Sequence, residues 1–92
     1  MSYRIIIGRT AQRQLARLPQ PIRGLAERHI DGLADDPRPP DSRSLKGTLR
    51  PFRKLRVGDH RVAYRVDDEA KTVHVVWAGH RSRIYEELGR KQ

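Results

Sequence analysis

The hydrophobic and polar positions change period along this chain, and each change marks an element. Tyr3-Arg4-Ile5-Ile6-Ile7 is short and β-branched, which predicts a strand, and Gly8-Arg9 breaks it. Thr10 is placed to cap a helix with its hydroxyl. Arg13, not Glu or Gln, stands where a capping box would be completed. Ala11, Leu15 and Leu18 follow at helical spacing until Pro19 stops them. Pro21 suits the first position of a second helix, along which Ile22, Leu25, Ala26, Ile30 and Leu33 recur with His29 on the same face. That helix ends before Pro37. From Asp35 to Pro51 the pattern is irregular, with four prolines, Gly47 and two serines, and predicts a long loop.

Period 2 then takes over. From Phe52 to Val66, apolar and charged residues alternate on both sides of Gly58-Asp59, a pair suited to a two-residue hairpin turn. Such a turn sets Val57 opposite His60, Arg56 opposite Arg61 and Leu55 opposite Val62. Leu55, Val57, Val62, Tyr64 and Val66 then share one face, and Lys54, Arg56, Arg61 and Arg65 the other. Asp67 to Lys71 reads as a turn. Val73 to Ala78 is apolar on both faces, which predicts a central strand. Gly79 ends it, and Ile84, Tyr85 and Leu88 predict a short helix in an otherwise polar tail. The sum is an α+β fold of order β-α-α-β-β-β. A small, twisted, mostly antiparallel sheet carries a two-helix hairpin on one face, and the basic face stays open.

Charge sharpens this picture. The 92 residues, enough for one domain over 1–92 with a thin core, carry a net charge of +9. Between Arg43 and Arg65 stand eight Lys or Arg and one acid, Asp59. Like charges opposite one another across a strand pair are destabilising. A face that accepts this cost implies an anionic partner, with phosphate the natural candidate. There is no cysteine, hence no disulfide framework, no thiolate metal site and no cysteine nucleophile, which fits a reducing cytoplasm. No apolar run approaches the roughly 20 residues of a membrane span. Ile5-Ile6-Ile7 is too short for the apolar region of a signal peptide.

The residue inventory excludes several chemistries. His29, His60, His74 and His80 lack metal-ligand spacing, so His29 is expected to pack or hydrogen-bond within the helical layer. Ser2, Ser42, Ser44 and Ser82 have no nucleophile-elbow context, and the paired acids sit in turns. Lys, Arg and Tyr remain, and they suffice to cleave RNA, whose ribose supplies its own 2′-hydroxyl nucleophile. The protein must help deprotonate that hydroxyl, stabilise charge on phosphorus and assist the leaving 5′-oxygen. Arginine suits bidentate phosphate contact but is a poor base. A lysine crowded by cations is a better one, and Lys54 has Arg53, Arg56 and Arg61 near it. Such chemistry requires neither metal nor small-molecule cofactor. Arg81 and Tyr85, at i, i+4 in the tail, are expected to face the same way and, with His80, to arrive beside the basic face.

Three segments in order carry a family resemblance: Leu45-Lys46-Gly47, Lys54 through Tyr64, and Gly79-His80-Arg81-Ser82-Arg83-Ile84-Tyr85. Together with the element order they make nearly the whole chain resemble the RelE/ParE superfamily of toxin–antitoxin toxins, on its RelE-like branch. The resemblance implies a ribosome-dependent, metal-independent mRNA endoribonuclease that inhibits translation, held in check by a cognate antitoxin. Its partners are then the ribosome, mRNA and that antitoxin. By position, Lys54 resembles the family's general base, and Arg61 the arginine that steadies the scissile phosphate. Arg81 resembles the one that offsets charge on the leaving oxygen, and Tyr85 the tyrosine that stacks on the substrate nucleotide. Lys46 resembles a basic loop residue touching RNA. Arg50, Arg56, Arg65 and His80 are expected to extend the RNA contact. Phe52 stands where RelE-type enzymes can carry a second lysine. The ParE branch shares the fold but inhibits DNA gyrase by protein contact and lacks the nuclease residues. Retention of Lys54, Arg61, Arg81 and Tyr85 together favours the nuclease branch.

Overall fold

The computed structural model describes residues 2–90. The elements run β1 (Arg4–Ile7), α1 (Arg9–Ala16), α2 (Ile22–Gly32), β2 (Ser42–Ser44), β3 (Phe52–Val57), β4 (His60–Asp67), β5 (Thr72–His80) and α3 (Ile84–Arg90). Single 3₁₀ turns cover Gly47–Leu49 and Arg81–Arg83. The sheet order is β1-β5-β4-β3-β2, with β1 parallel to β5 and every other pair antiparallel. The β5 strand is internal, as its two apolar faces predict.

The hairpin forms in the expected register, with Val57 opposite His60, Arg56 opposite Arg61 and Leu55 opposite Val62. Gly58 makes the turn possible. Its φ of +61° lies in the left-handed region, and a Cβ there would also meet Ile22 Cδ1 at 3.3 Å. The apolar face of the hairpin packs under the helix pair. Ala11 and Leu15 of α1 and Ala26 and Ile30 of α2 lie against Leu55, Val57, Val62, Tyr64, Val73 and Val75. Tyr64 is completely buried, and its hydroxyl donates to Pro37 O at 2.7 Å.

Three local expectations are corrected. First, α1 starts at Arg9 with Gly8 as its N-cap, so Thr10 lies inside the first turn and does not cap it. The chain leaves β1 so tightly that Gly8 O already accepts from Gln12 N, while Gln12 Nε2 donates to Ile7 O. Second, the loop from 35 to 51 is not wholly irregular. It supplies β2, whose Ser42 and Arg43 pair with Leu55 and Lys54, and it buries Leu45 and Leu49. Third, the basic face is only partly open. A second apolar cluster of Leu45, Leu49, Ala63, Trp77, Ile84 and Leu88, with Phe52 and Val76 against it, covers one end.

A β-bulge produces that second cluster. Ala63 pairs with Trp77 but Tyr64 pairs with Val75, leaving Val76 as the extra residue. The bulge turns Trp77 away from the helix pair, where it anchors α3. Its ring is fully buried and its Nε1 donates to Glu87 Oε1 at 3.0 Å. Gly79 is required by the same ring, because a Cβ there would lie 2.7 Å from Trp77 Cζ2.

At the far end of the sheet, Asp68 accepts from Arg38 Nη2 at 2.9 Å and from the Tyr3 hydroxyl at 2.7 Å. The Arg38 hydrogen bond first, then the Tyr3 one, hold its carboxyl down from 3.8 to about 2, against a small opposing effect of burial. A carboxyl depressed in the folded state adds stability above its unfolded pKa and loses it as pH falls through the folded one. Asp68→Asn is therefore expected to lower the thermal midpoint at pH 7. The gap from the parent chain should close as pH falls from about 4 towards 2. Melting curves across that range measure it, and a gap independent of pH would contradict the assignment.

Candidate functional site

Two cross-strand rows build the basic face. One runs Arg43, Lys54, Ala63, Trp77 across β2, β3, β4 and β5, and the next runs Arg56, Arg61, Gly79. The cations Arg43, Lys54, Arg56 and Arg61 thus sit side by side on β2, β3 and β4, with Ala63 and Gly79 the small residues beside them. The result is an open cleft of about 450 Å³ lined by Pro40, Asp41, Arg43, Lys54, Arg56 and Arg61. Asp41 is the lone carboxylate lining it, and its Oδ2 lies 3.3 Å from Nδ1 of His29 on α2. His29 thus reaches out of the helical layer towards the cleft wall.

The tail closes on this cleft from the other end. Arg81 N donates to Asp59 O at 2.9 Å, which pins the tail to the hairpin turn. The Arg81 guanidinium is near enough to repel that of Arg61. Burial first, then the charges of Arg56 and Arg81, push the Arg61 guanidinium below the ordinary arginine range, with Asp59 opposing. Arg61 Nη1 donates to Gly58 O and His60 O at 2.9 and 2.8 Å, which fixes the side chain along its own turn. Tyr85, on the first turn of α3, is the exposed large hydrophobic side chain among the described residues. Its ring centroid lies 5.6 Å from Lys54 Nζ, and its hydroxyl accepts from Lys46 N at 3.3 Å. A lysine and three arginines therefore line one cavity, with an aromatic face over the lysine, an arrangement able to bind a nucleotide base and its phosphate together.

Lys54, Arg56 and Arg61 line the cleft, Tyr85 lies over Lys54 and meets the Lys46 amide, and Arg81 stands near Arg61. The other candidates do not join them. Arg65 lies further along β4, opposite Phe52 and His74. Arg50 folds back, its Nε donating to Gly47 O at 3.2 Å. His80 points towards the helix side, because strand alternation places it opposite His60 while Arg61 faces Gly79. The two imidazoles meet edge to face at 5.6 Å, and His80 Nδ1 accepts from Ser82 N. Phe52 packs against the second apolar cluster, which explains an apolar residue at that position.

Sequence reasoning missed Arg43, Asp41 and Arg53 as parts of the site. Arg43 enters the cleft only because β2 pairs with β3, and no periodicity announces a strand of three residues. Arg53 holds that strand in place from the opposite face. Its Nη2 and Nε donate to Ser42 Oγ at 2.9 and 3.2 Å, and Nη2 also reaches Ser42 O at 3.3 Å. Among the described residues no three His, Cys, Asp or Glu side chains are grouped to hold a metal ion.

The chain is similar in sequence and fold to known proteins. A family model described as the ParE toxin of the type II toxin–antitoxin system parDE matches residues 5–85. A protein named Toxin RelE from Mycobacterium tuberculosis is 32% identical over 84 residues, spanning 90% of this chain and 86% of the relative. The RelBE2 toxin–antitoxin complex of the same organism contains a chain that superposes with a TM-score of 0.78 at 30% identity, over 88% of this chain and 100% of that one. The archaeal RelE–RelB complex from Pyrococcus horikoshii gives 0.77 at 28% identity, over 90% and 99%.

Arg53→Ala is expected to release β2 while leaving β3 to β5 paired. The cost in stability should be about 1.5–3 kcal/mol, that of hydrogen bonds to a charged donor. Hydrogen exchange should show Ser42 to Ser44 losing protection ahead of the rest of the sheet, and unchanged protection there would contradict the role given to Arg53.

Proposed function

We propose that this chain, which belongs to the ParE toxin family of type II toxin–antitoxin systems and is RelE-like, stops translation by cutting mRNA on the ribosome. The observation that carries the reading is that Lys54 and Arg61 line one cationic cleft, with the Tyr85 ring 5.6 Å from Lys54 Nζ and Arg81 close enough to repel Arg61. Each has a part in cleavage by the RNA's own 2′-hydroxyl. Lys54 takes the hydroxyl proton, and the resulting oxyanion attacks the adjacent phosphorus. The bond to the 5′-oxygen breaks, a cyclic phosphate forms, and the departing oxygen takes up a proton from water. Arg61 holds the phosphate and Arg81 offsets charge on the leaving oxygen. Tyr85 stacks on the base beside the scissile bond. Lys46 and Arg56 track the backbone next to the cleft, with Arg50 and Arg65 further out. None of these steps requires a metal or a cofactor.

The same reading supplies the partners. The structural relatives named above are complexes of a RelE with a RelB, and the toxin here is assigned a cognate antitoxin of its own, acidic or amphipathic where it meets the hairpin. Ribosome and mRNA place the protein in the cytoplasm. Among the described residues no helix is long and apolar enough to cross a membrane.

One observation favours a second reading. The matching family model carries the ParE name, and that branch inhibits DNA gyrase by protein contact. A single comparison separates the two. Purified toxin is added to ribosomes programmed with a defined mRNA, whose new ends are mapped, and in parallel to a gyrase supercoiling reaction. Cut mRNA with unimpaired supercoiling is expected, and Lys54→Ala with Arg81→Ala should lower cutting by at least about a hundredfold. Intact mRNA with blocked supercoiling would overturn the nuclease reading.

A further inference from the structure

Asp41 is a carboxylate in a cleft otherwise charged by one lysine and three arginines, and the backbone holds it there. Pro39 O accepts from Ser42 N at 3.0 Å and from Ser42 Oγ at 2.9 Å, which closes a turn around Pro40 and Asp41. Asp41 O accepts from Arg56 N at 3.0 Å and so carries the register of β2 one residue back. Asp41 therefore joins the row of Arg56 and Arg61, on the same face as Arg43 and Lys54. Its Oδ2 lies 3.3 Å from His29 Nδ1. Among the described residues it forms no ion pair with any of the four cations that share the cleft.

A carboxylate placed only to offset charge would close on one of those cations. This one is held by the turn and by His29, and Oδ1 is left to accept from a ligand. A phosphate is repelled by it, so the group that meets it must donate hydrogen bonds. With the phosphates on the central cations, the bases of an RNA strand project to the rims of the cleft. Tyr85 sits by Lys54 and the Lys46 amide, whereas Asp41 stands beyond Arg56 at the β2 edge of the sheet. One base stacks on Tyr85, and the base on the other side of the scissile phosphate reaches Asp41. Adenine, cytosine and guanine each present an exocyclic amino group to such an acceptor. Uracil flanks its single N–H with two carbonyl oxygens, which a carboxylate repels.

We propose that Asp41 selects the nucleotide beside the cut, on the side away from Tyr85, by accepting from the exocyclic amino group of its base and turning uracil away. This rests on the cleavage reading above and adds a sequence preference that phosphate contacts cannot supply.

Cytosine and uracil isolate that amino group, because they match in size. Ribosomes are programmed with mRNAs that differ only by cytosine or uracil at a position flanking the cut, each side in turn. Non-cleavable 2′-O-methyl tetranucleotides carrying the same pair are titrated against the free chain in parallel. At one of the two positions the parent is expected to favour cytosine roughly tenfold in kcat/KM and in affinity. Asp41→Asn, whose amide both donates and accepts, should bring the two bases within about threefold of each other. The uracil mRNA should be cut by this variant at least as fast as by the parent. Equal cutting of both mRNAs by the parent would overturn the proposal and leave the nuclease reading standing. So would a cytosine preference that Asp41→Asn keeps, or a variant that loses cutting of both mRNAs alike, which would mark a structural role. A parent that cuts neither mRNA removes the nuclease reading, and the tetranucleotides then decide. A cytosine preference in binding that Asp41→Asn loses upholds the base contact, and equal or undetectable binding overturns it.

Discussion

Arg56 stands directly opposite Arg61, and Arg43 directly opposite Lys54, on one face of a small sheet. Most of what this molecule does depends on holding those like charges together. Repulsion across a strand pair opposes the fold, so the register must be held by something stronger. The Gly58–Asp59 turn sets the pairing, and the apolar side chains alternating with the cations bury Leu55, Val57, Val62 and Tyr64 under two helices. A slip of one residue would send every cation into that core and every aliphatic side chain into water. The hydrophobic effect on one face is therefore the agent that concentrates charge on the other. Asp41 is the lone carboxylate lining the cleft, so a polyanion meets little competition.

The tail completes the site through a different device. One bulge at Val76 rotates Trp77 onto the charged side of the sheet, where its buried ring gives α3 a place to pack. Gly79 lets that ring lie against the backbone. Ile84 and Leu88 fasten the helix down, and Tyr85 between them reaches Lys54. Arg81 is fixed by its amide to the hairpin turn, independently of the Trp77 contact. Two attachments thus position two groups with different work, an aromatic platform and a cation beside Arg61.

Much of this was legible in the sequence, for reasons that differ by element. The hairpin was readable because a two-residue turn and strict alternation leave one register, and the pairing of Arg56 with Arg61 followed from it. The helix pair was readable from its periodic apolar positions. The β2 strand was not, because Ser42-Arg43-Ser44 carries no apolar signal and is held by Arg53 and by pairing to β3. Arg43 was missed with it. The second apolar cluster was hidden for another reason. The run Val73 to Ala78 reads as apolar on both faces with or without a bulge, and the bulge decides which face receives Trp77. His80 was misplaced because its neighbour Arg81 stands near Arg61 while strand alternation sends His80 to the helix side. The start of α1 was lost to Gly8, which caps through its backbone where Thr10 had the better side chain.

The central claim is that the cationic face exists at the expense of the fold and for the sake of an anionic partner. Arg56→Glu tests it most directly, read by urea unfolding of the isolated chain and by binding to single-stranded RNA as salt is varied. The account predicts that the variant is more stable than the parent by about 0.2–1 kcal/mol, because a repelling pair becomes an attracting one. It also predicts weaker RNA binding and a shallower salt dependence. A variant that is less stable and binds RNA as the parent does would contradict it.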